Sequence, residues 1–192
     1  MNIIIFGPPG AGKGTQSKFI SERYNLFQLS TGSILRNEIK NQSKLGKEIS
    51  SIISDGSLVS DDIVKRLVEN FISNNKYKNR LIFDGYPRNL IQANTLNELL
   101  TKYDQKIKLV LKLSVSLETI KKRILERRNL EKRTDDNEET AIRRYKTYEK
   151  STEPLIKFYN KLNLLKVING EGNITQINKE IGDLIGAIEG WL

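Results

Sequence analysis

Nine consecutive residues, Gly7-Pro8-Pro9-Gly10-Ala11-Gly12-Lys13-Gly14-Thr15, carry the most specific chemistry in the chain. Their glycines allow backbone N–H groups to converge on an anion without Cβ collisions, and Lys13 adds a full positive charge. The apolar run Asn2 to Phe6 precedes them and a helical pattern follows. That is the strand, glycine loop and helix order of a P-loop, with the positive helix end facing the anion. The sequence therefore points to a nucleoside polyphosphate. The Ser or Thr that usually follows the lysine is Gly14 here, with Thr15 one place later. On its own the loop does not choose among ATPases, GTPases and kinases.

Other residues could act beside it. Asp84 closes the apolar run Arg80 to Phe83, leads into Gly85-Tyr86-Pro87-Arg88, and is followed by Gln92. A carboxylate at the C-terminal end of a strand sits where a doubly wound sheet places ligands, and it can hold magnesium through water. Arg36 projects from a short helix that Thr31 is expected to cap. Arg123 and Arg127 lie one helical turn apart and so share a face.

These groups need a scaffold, and the apolar runs supply one. Five runs read as buried parallel strands: Asn2 to Phe6, Leu26 to Leu29, Arg80 to Phe83, Leu109 to Leu113 and Leu165 to Ile168. Helical stretches separate them, which predicts an α/β fold: a five-stranded parallel sheet covered by helices on both faces in a three-layer sandwich. Ile63, Val64, Leu67, Val68, Phe71 and Ile72 form a helical stripe behind a candidate cap at Ser60. Ile174, Ile177, Ile181, Ile185 and Ile188 form another, and both stripes are expected to be core. Asp136 and Glu139 read as a capping box opening a long helix that Pro154 should kink or restart. From Glu126 to Asp136 the chain is almost wholly polar, which predicts an exposed connection that can act as a flap.

Composition removes whole classes of mechanism. The 192 residues include no Cys and no His, so thiolate nucleophiles, His bases, phosphohistidine intermediates and Cys/His zinc sites are excluded. Lys, Arg, Asp and hydroxyl groups remain. The net charge of +9 is spread along the chain and reads as a surface that attracts anionic nucleotides, with no nucleic-acid-binding motif. No apolar run approaches a membrane span, so the expectation is a cytoplasmic protein with no membrane partner.

Taken together, the loop, the element Ser30-Thr31-Gly32 with Leu35-Arg36, the segment Asp84 to Arg88, and Arg133 before Asp135 and Asp136 closely resemble the adenylate kinases. The likeness covers essentially the whole chain. It implies transfer of the terminal phosphoryl group of ATP to AMP, with magnesium accompanying ATP. Gly10, Ala11, Gly12, Lys13, Gly14 and Thr15 would cradle the ATP phosphates, with Arg123 and Arg127 reaching them. The loop Asn169 to Gly172, including Gly172, would contact the adenine of ATP. Thr31, Arg36, Ser57, Leu58, Val59, Gly85, Tyr86, Pro87, Arg88 and Gln92 would hold AMP, and Arg133 and Arg144 would bind across both substrates. Lys13, Arg88, Arg123, Arg133 and Arg144 are the expected catalytic residues, and Asp84 the expected contact to magnesium.

The resemblance divides the chain into a core (1–29, 60–125 and 137–192), an AMP-binding segment (30–59) and a short lid (126–136), the two inserted segments closing over AMP and ATP. Many relatives have a longer lid, some with a four-cysteine zinc site; the short form here implies no zinc. A monomer is expected, with ATP, AMP and ADP as its partners. The nearest rival is a UMP/CMP kinase, which resembles a form with Ala in place of Thr31 and Asn in place of Gln92. A P-loop switch protein that hydrolyses nucleotide is more remote, because the segment Asp84 to Arg88 supplies a second phosphate site.

Overall fold

The computed structural model describes residues 1–55, 57–131 and 138–188. Its centre is a parallel sheet of β1 (Asn2–Phe6), β2 (Phe27–Ser30), β3 (Leu81–Asp84), β4 (Ile107–Ser114) and β5 (Leu165–Asn169), in the order β2-β3-β1-β4-β5. The five expected strands are present, each within a few residues of its expected bounds. Strand alternation sends side chains to opposite faces, and here both faces are covered. Ile3 and Ile5 of β1 pack with Ile82, Leu109 and Leu111 under α1 (Lys13–Tyr24) and α8 (Ile174–Gly186). Ile4 and Phe6 point the other way, into a larger cluster with Leu29, Phe83, Val110 and five further helices.

Those helices are α2 (Thr31–Lys40), α3 (Lys44–Ser54), α4 (Asp61–Ile72), α5 (Leu90–Lys102) and α7 (Glu138–Lys161); α6 (Leu117–Glu131) follows β4. The first three strands carry the loops of the site. Chain order reverses around β1, whose successor lies on one side while β4 and β5 lie on the other. Such a reversal opens a crevice beyond the carboxyl ends of the strands.

Helices α2 and α3 form a hairpin inside the expected segment 30–59. Ser43 makes the turn: its Oγ accepts from the Gly46 N–H at 2.9 Å, and its N–H donates to the Glu38 carbonyl at 3.2 Å. Gly46 lets the two backbones touch, because a Cβ there would lie 2.1 Å from the Glu38 carbonyl oxygen. Leu35 and Ile49 from the hairpin belong to the same core cluster as the sheet.

Several expectations are corrected. Ser30, not Thr31, caps α2, its Oγ accepting from the Ser33 N–H at 3.4 Å. The extended backbone of a capping residue falls on the last residue of β2, which makes Thr31 the first helical residue. Ser60 precedes α4 as expected but makes no side-chain cap bond. Ile174 is 59% exposed and lies outside the core, one turn ahead of Ile177, where α8 first meets the sheet. Pro154 does not restart α7, which runs through it. The cost of a mid-helix proline, about 3 kcal/mol, is opposed by Leu155 and Tyr159, both buried in the core beyond it.

Within the expected lid, residues 126–131 continue α6. Their Glu, Arg and Leu residues favour helix, and extending an existing helix has no nucleation cost. The rest of the expected lid, with Arg133, Asp135 and the capping-box residue Asp136, lies outside the described residues.

Candidate active site

The P-loop leaves β1 and turns beneath α6. Gly10 and Gly12 have φ of 85° and 94°, in the left-handed region that favours glycine. Gly10 also lies against α6, where an added Cβ would meet Ile124 Cγ1 at 3.2 Å and the Ile120 carbonyl oxygen at 3.3 Å. Within the loop, the Ala11 N–H donates to the Pro8 carbonyl at 3.1 Å. Lys13 reaches back over the loop, its Nζ donating to the carbonyls of Gly7 at 2.7 Å and Pro8 at 3.2 Å.

Two adjoining cavities open at the carboxyl ends of β1, β2 and β3. The larger is walled by Gly10, Lys13 and Gly14 of the loop, Gln28, Asp84, Pro87 and Arg127, and residues of α7 from Arg144 to Thr152. The smaller is walled by Thr31, Leu35, Ile53, Ser57, Val59, Val64 and Gln92. Gly32, Arg36, Leu58, Gly85, Arg88 and Arg144 line both. Three guanidinium side chains therefore stand at the junction.

The Gly85 carbonyl organises that junction. It accepts from Arg88 Nε at 2.8 Å and from Thr31 Oγ1 at 3.1 Å, so the start of α2 and the loop after β3 share one anchor. Asp84, 7% exposed at the end of β3, accepts from Gln28 Nε2 at 2.9 Å through Oδ2. The concentration of positive charge alters the protonation of its members. Lys13 falls to about 8, chiefly through burial; Asp84 opposes the fall, and Arg88, Arg144 and Arg127 add to it. Arg88 falls to about 10, again mainly through burial, with Arg144 and Arg36 as like-charged neighbours and Asp84 opposing. A cleft of mutually repelling cations has an unfavourable term that a polyanion removes on binding.

Other candidates fall at the edge of this arrangement. Arg123 lines neither cavity: its guanidinium donates to the carbonyls of Gly170 at 2.9 Å and Ala11 at 3.5 Å, tying the P-loop to the turn after β5. Gly172 stands beside that turn, just before the α8 cap Asn173. Thr15 is exposed on α1. The Tyr86 ring is buried, with its hydroxyl donating to the Gln92 carbonyl at 3.2 Å, so at this residue only the backbone can face a ligand. Arg133 lies outside the described residues.

Some participants were not anticipated. Gln28 stands two residues before Ser30 on one strand face, a period-two signal the sequence did offer. Thr147, Tyr148, Ser151 and Thr152 line the larger cavity from α7, and the buried Tyr148 hydroxyl has no hydrogen-bond partner among the described residues. Only the fold assigns that helix face to the cleft.

Magnesium can be tested against this donor set. Among the described residues no group of three or more carboxylates converges, but a hard carboxylate oxygen, Asp84, lies in the larger cavity with Lys13. Magnesium is commonly held by one or two carboxylates with substrate phosphates and water completing the shell, so the residues fit.

Known proteins resemble this chain over nearly its whole length. The adenylate kinase family model matches residues 5–164. The chain is 43% identical to an adenylate kinase of Pelagibacter ubique, with 96% of this chain and 99% of the relative covered. It is 44% identical to one of Prochlorococcus marinus, with 94% and 96% covered. A third, from Methanothrix thermoacetophila, is 36% identical, with 98% and 100% covered. These matches give no support to the UMP/CMP kinase or switch-protein alternatives. A match of this extent to the family model, joined to relatives of this identity along their full length, places the chain in the adenylate kinase family.

Proposed function

We propose that the paired cavities form the active site for the family's reaction, the interconversion of ATP and AMP with two ADP, and that the donor and acceptor occupy the larger and smaller cavity respectively. One observation carries the assignment: Arg36, Arg88 and Arg144 line both cavities. Two phosphate chains meeting there repel each other, and planar, permanently charged guanidinium forks offset that repulsion with directed hydrogen bonds.

The donor phosphates lie against Gly10 to Thr15, where Lys13 exchanges its bonds to the Gly7 and Pro8 carbonyls for bonds to phosphate oxygens. Arg127 reaches the same phosphates, and Arg123 acts with them by fixing the loop to Gly170. The acceptor sits among Thr31, Arg36, Ser57 to Val59, the backbone of Gly85 to Arg88, and Gln92. Its attacking oxygen belongs to an already ionised phosphate, so no side chain has to remove a proton, in keeping with a chain that has no histidine. Catalysis then consists of alignment and charge stabilisation by Lys13, Arg88 and Arg144. Asp84 would hold magnesium through water; bound with ATP, the ion supplies further neutralisation of phosphate charge.

Water is the competing acceptor, and assembling the site only when both substrates are bound limits its access. The α2–α3 hairpin is the element suited to closing over AMP, since it carries Arg36 and leads into Ser57 to Val59. The test is direct: with ADP and magnesium as the only substrates, the protein is expected to yield ATP and AMP in equal amounts. Formation of AMP and orthophosphate without ATP would overturn the proposal.

A further inference from the structure

Both polar ends of the Gln92 side chain are already engaged. Its Oε1 accepts from the Arg88 backbone N–H at 2.7 Å, and its Nε2 donates to Asp61 Oδ1 at 2.6 Å. The neighbouring Asn89 Nδ2 donates to the two Asp61 oxygens at 3.3 and 3.2 Å, while Asn89 Oδ1 accepts from the Gln92 N–H at 2.8 Å. Asp61 accepts at both oxygens, so Gln92 and Asn89 can only present their NH2 groups to it. The Arg88 N–H in turn demands an oxygen. No second orientation of the Gln92 amide satisfies these neighbours.

An amide has two N–H donors and two oxygen lone pairs, so one donor and one acceptor remain after these bonds. Gln92 is 3% exposed and lines the smaller cavity, which confines those remaining valences to a ligand there. A 6-aminopurine edge offers a ring-nitrogen acceptor beside an amino donor. A 6-oxopurine edge offers a ring N–H donor beside a carbonyl acceptor, the inverse pattern. An amide free to turn over would match either edge, whereas a fixed one matches a single pattern.

We infer that Asp61, which lies outside the cavity wall, makes the acceptor site discriminate 6-amino from 6-oxo purine monophosphates by fixing the orientation of Gln92. It is a positioning residue acting through that amide, and the inference rests on AMP as acceptor. Leaving a polar group mispaired at a buried site has a cost, and here that cost falls on the wrong base.

The test is Asp61→Asn, which replaces one accepting oxygen by an NH2 at constant shape. Acceptor kinetics with AMP and with inosine monophosphate at saturating ATP are expected to show the ratio of kcat/KM values falling about tenfold, mainly through a higher KM for AMP. KM for ATP is expected to stay unchanged. A folded variant with an unaltered AMP-to-IMP ratio overturns the inference. A second measurement needs no variant: side-chain NH2 resonances of Gln92 in the unliganded wild-type protein should form one set, with one proton shifted by the carboxylate. Two exchanging sets would overturn the fixed orientation. Wild-type protein that itself fails to prefer AMP over IMP, CMP and UMP would instead refute the acceptor assignment on which the inference stands.

Discussion

Replacing Gly46 by alanine sets two effects of opposite sign against each other. Gly46 lies in the first turn of α3, and alanine in a helix interior is favoured over glycine by up to about 1 kcal/mol. The new Cβ, however, would lie 2.1 Å from the Glu38 carbonyl oxygen, 2.4 Å from its carbon and 2.7 Å from the Ile39 nitrogen. All three are backbone atoms and cannot rotate away, so α2 and α3 must separate by more than an ångström. Overpacking of this kind costs about 1–3 kcal/mol and occasionally more, so after the helix preference is subtracted the clash wins by about 1 kcal/mol. Leu35 and Ile49 join the hairpin to the central core, and the loss should appear in global unfolding. For a domain of this size the melting midpoint is expected to drop by about 2–4 °C. KM for AMP should rise severalfold, because Arg36 and Ile53 of the hairpin line the acceptor cavity, while ATP affinity measured by calorimetry stays the same. A midpoint equal to or above that of the wild type would show that helix preference dominates and that the packing argument is wrong.

The remaining predictions concern the charged cleft. The free-state value of Lys13 is about 8, below its ordinary 10.5, and bound phosphates raise it again. ATP binding should therefore take up a proton above that pH, and affinity should fall as pH rises from about 8, by no more than about tenfold per unit. Calorimetry near pH 9 in two buffers of different ionisation enthalpy checks this, and identical heats would refute it. Arg88→Lys keeps the charge but loses the fork at the junction, and kcat/KM is expected to fall at least about 100-fold; steady-state assays with both nucleotides test it, and a loss under tenfold counts against the assignment. Arg127→Ala should slow the phosphoryl transfer step itself, so rapid-quench single-turnover rates are expected to fall; an unchanged rate would exclude that role.

How much of this was legible in the sequence depended on range. The P-loop, Asp84 at the end of β3 and the five strands were readable because each is a local pattern in which residue types and spacing meet one geometric demand. The extension of α6 through residue 131 was missed, because helix preference in a polar stretch leaves no periodic apolar signature. The capping of α2 by Ser30 differed by one residue, within the uncertainty of any strand-to-helix junction. Asp61 stands in the first turn of α4, where an acidic residue suits the helix dipole and so signals no further role. Its contact with Gln92 joins positions 31 residues apart, and only the packing of α4 beside α5 brings them together. Arg123 shows the opposite limit: its helical position was correctly inferred, yet its reach to Gly170 depends on where β5 ends.

The placement of β1 has a consequence for synthesis. This strand is synthesised before both of its neighbours, lying in the middle of the sheet between β3 on one side and β4 on the other. Translation at about 5–20 residues per second leaves the Ile3-Ile4-Ile5 stretch without its first neighbour for several seconds. During that interval a strand fully buried in the finished protein is exposed to other nascent chains. Strand order thus makes early shielding of this stretch favourable during synthesis, independent of any nucleotide.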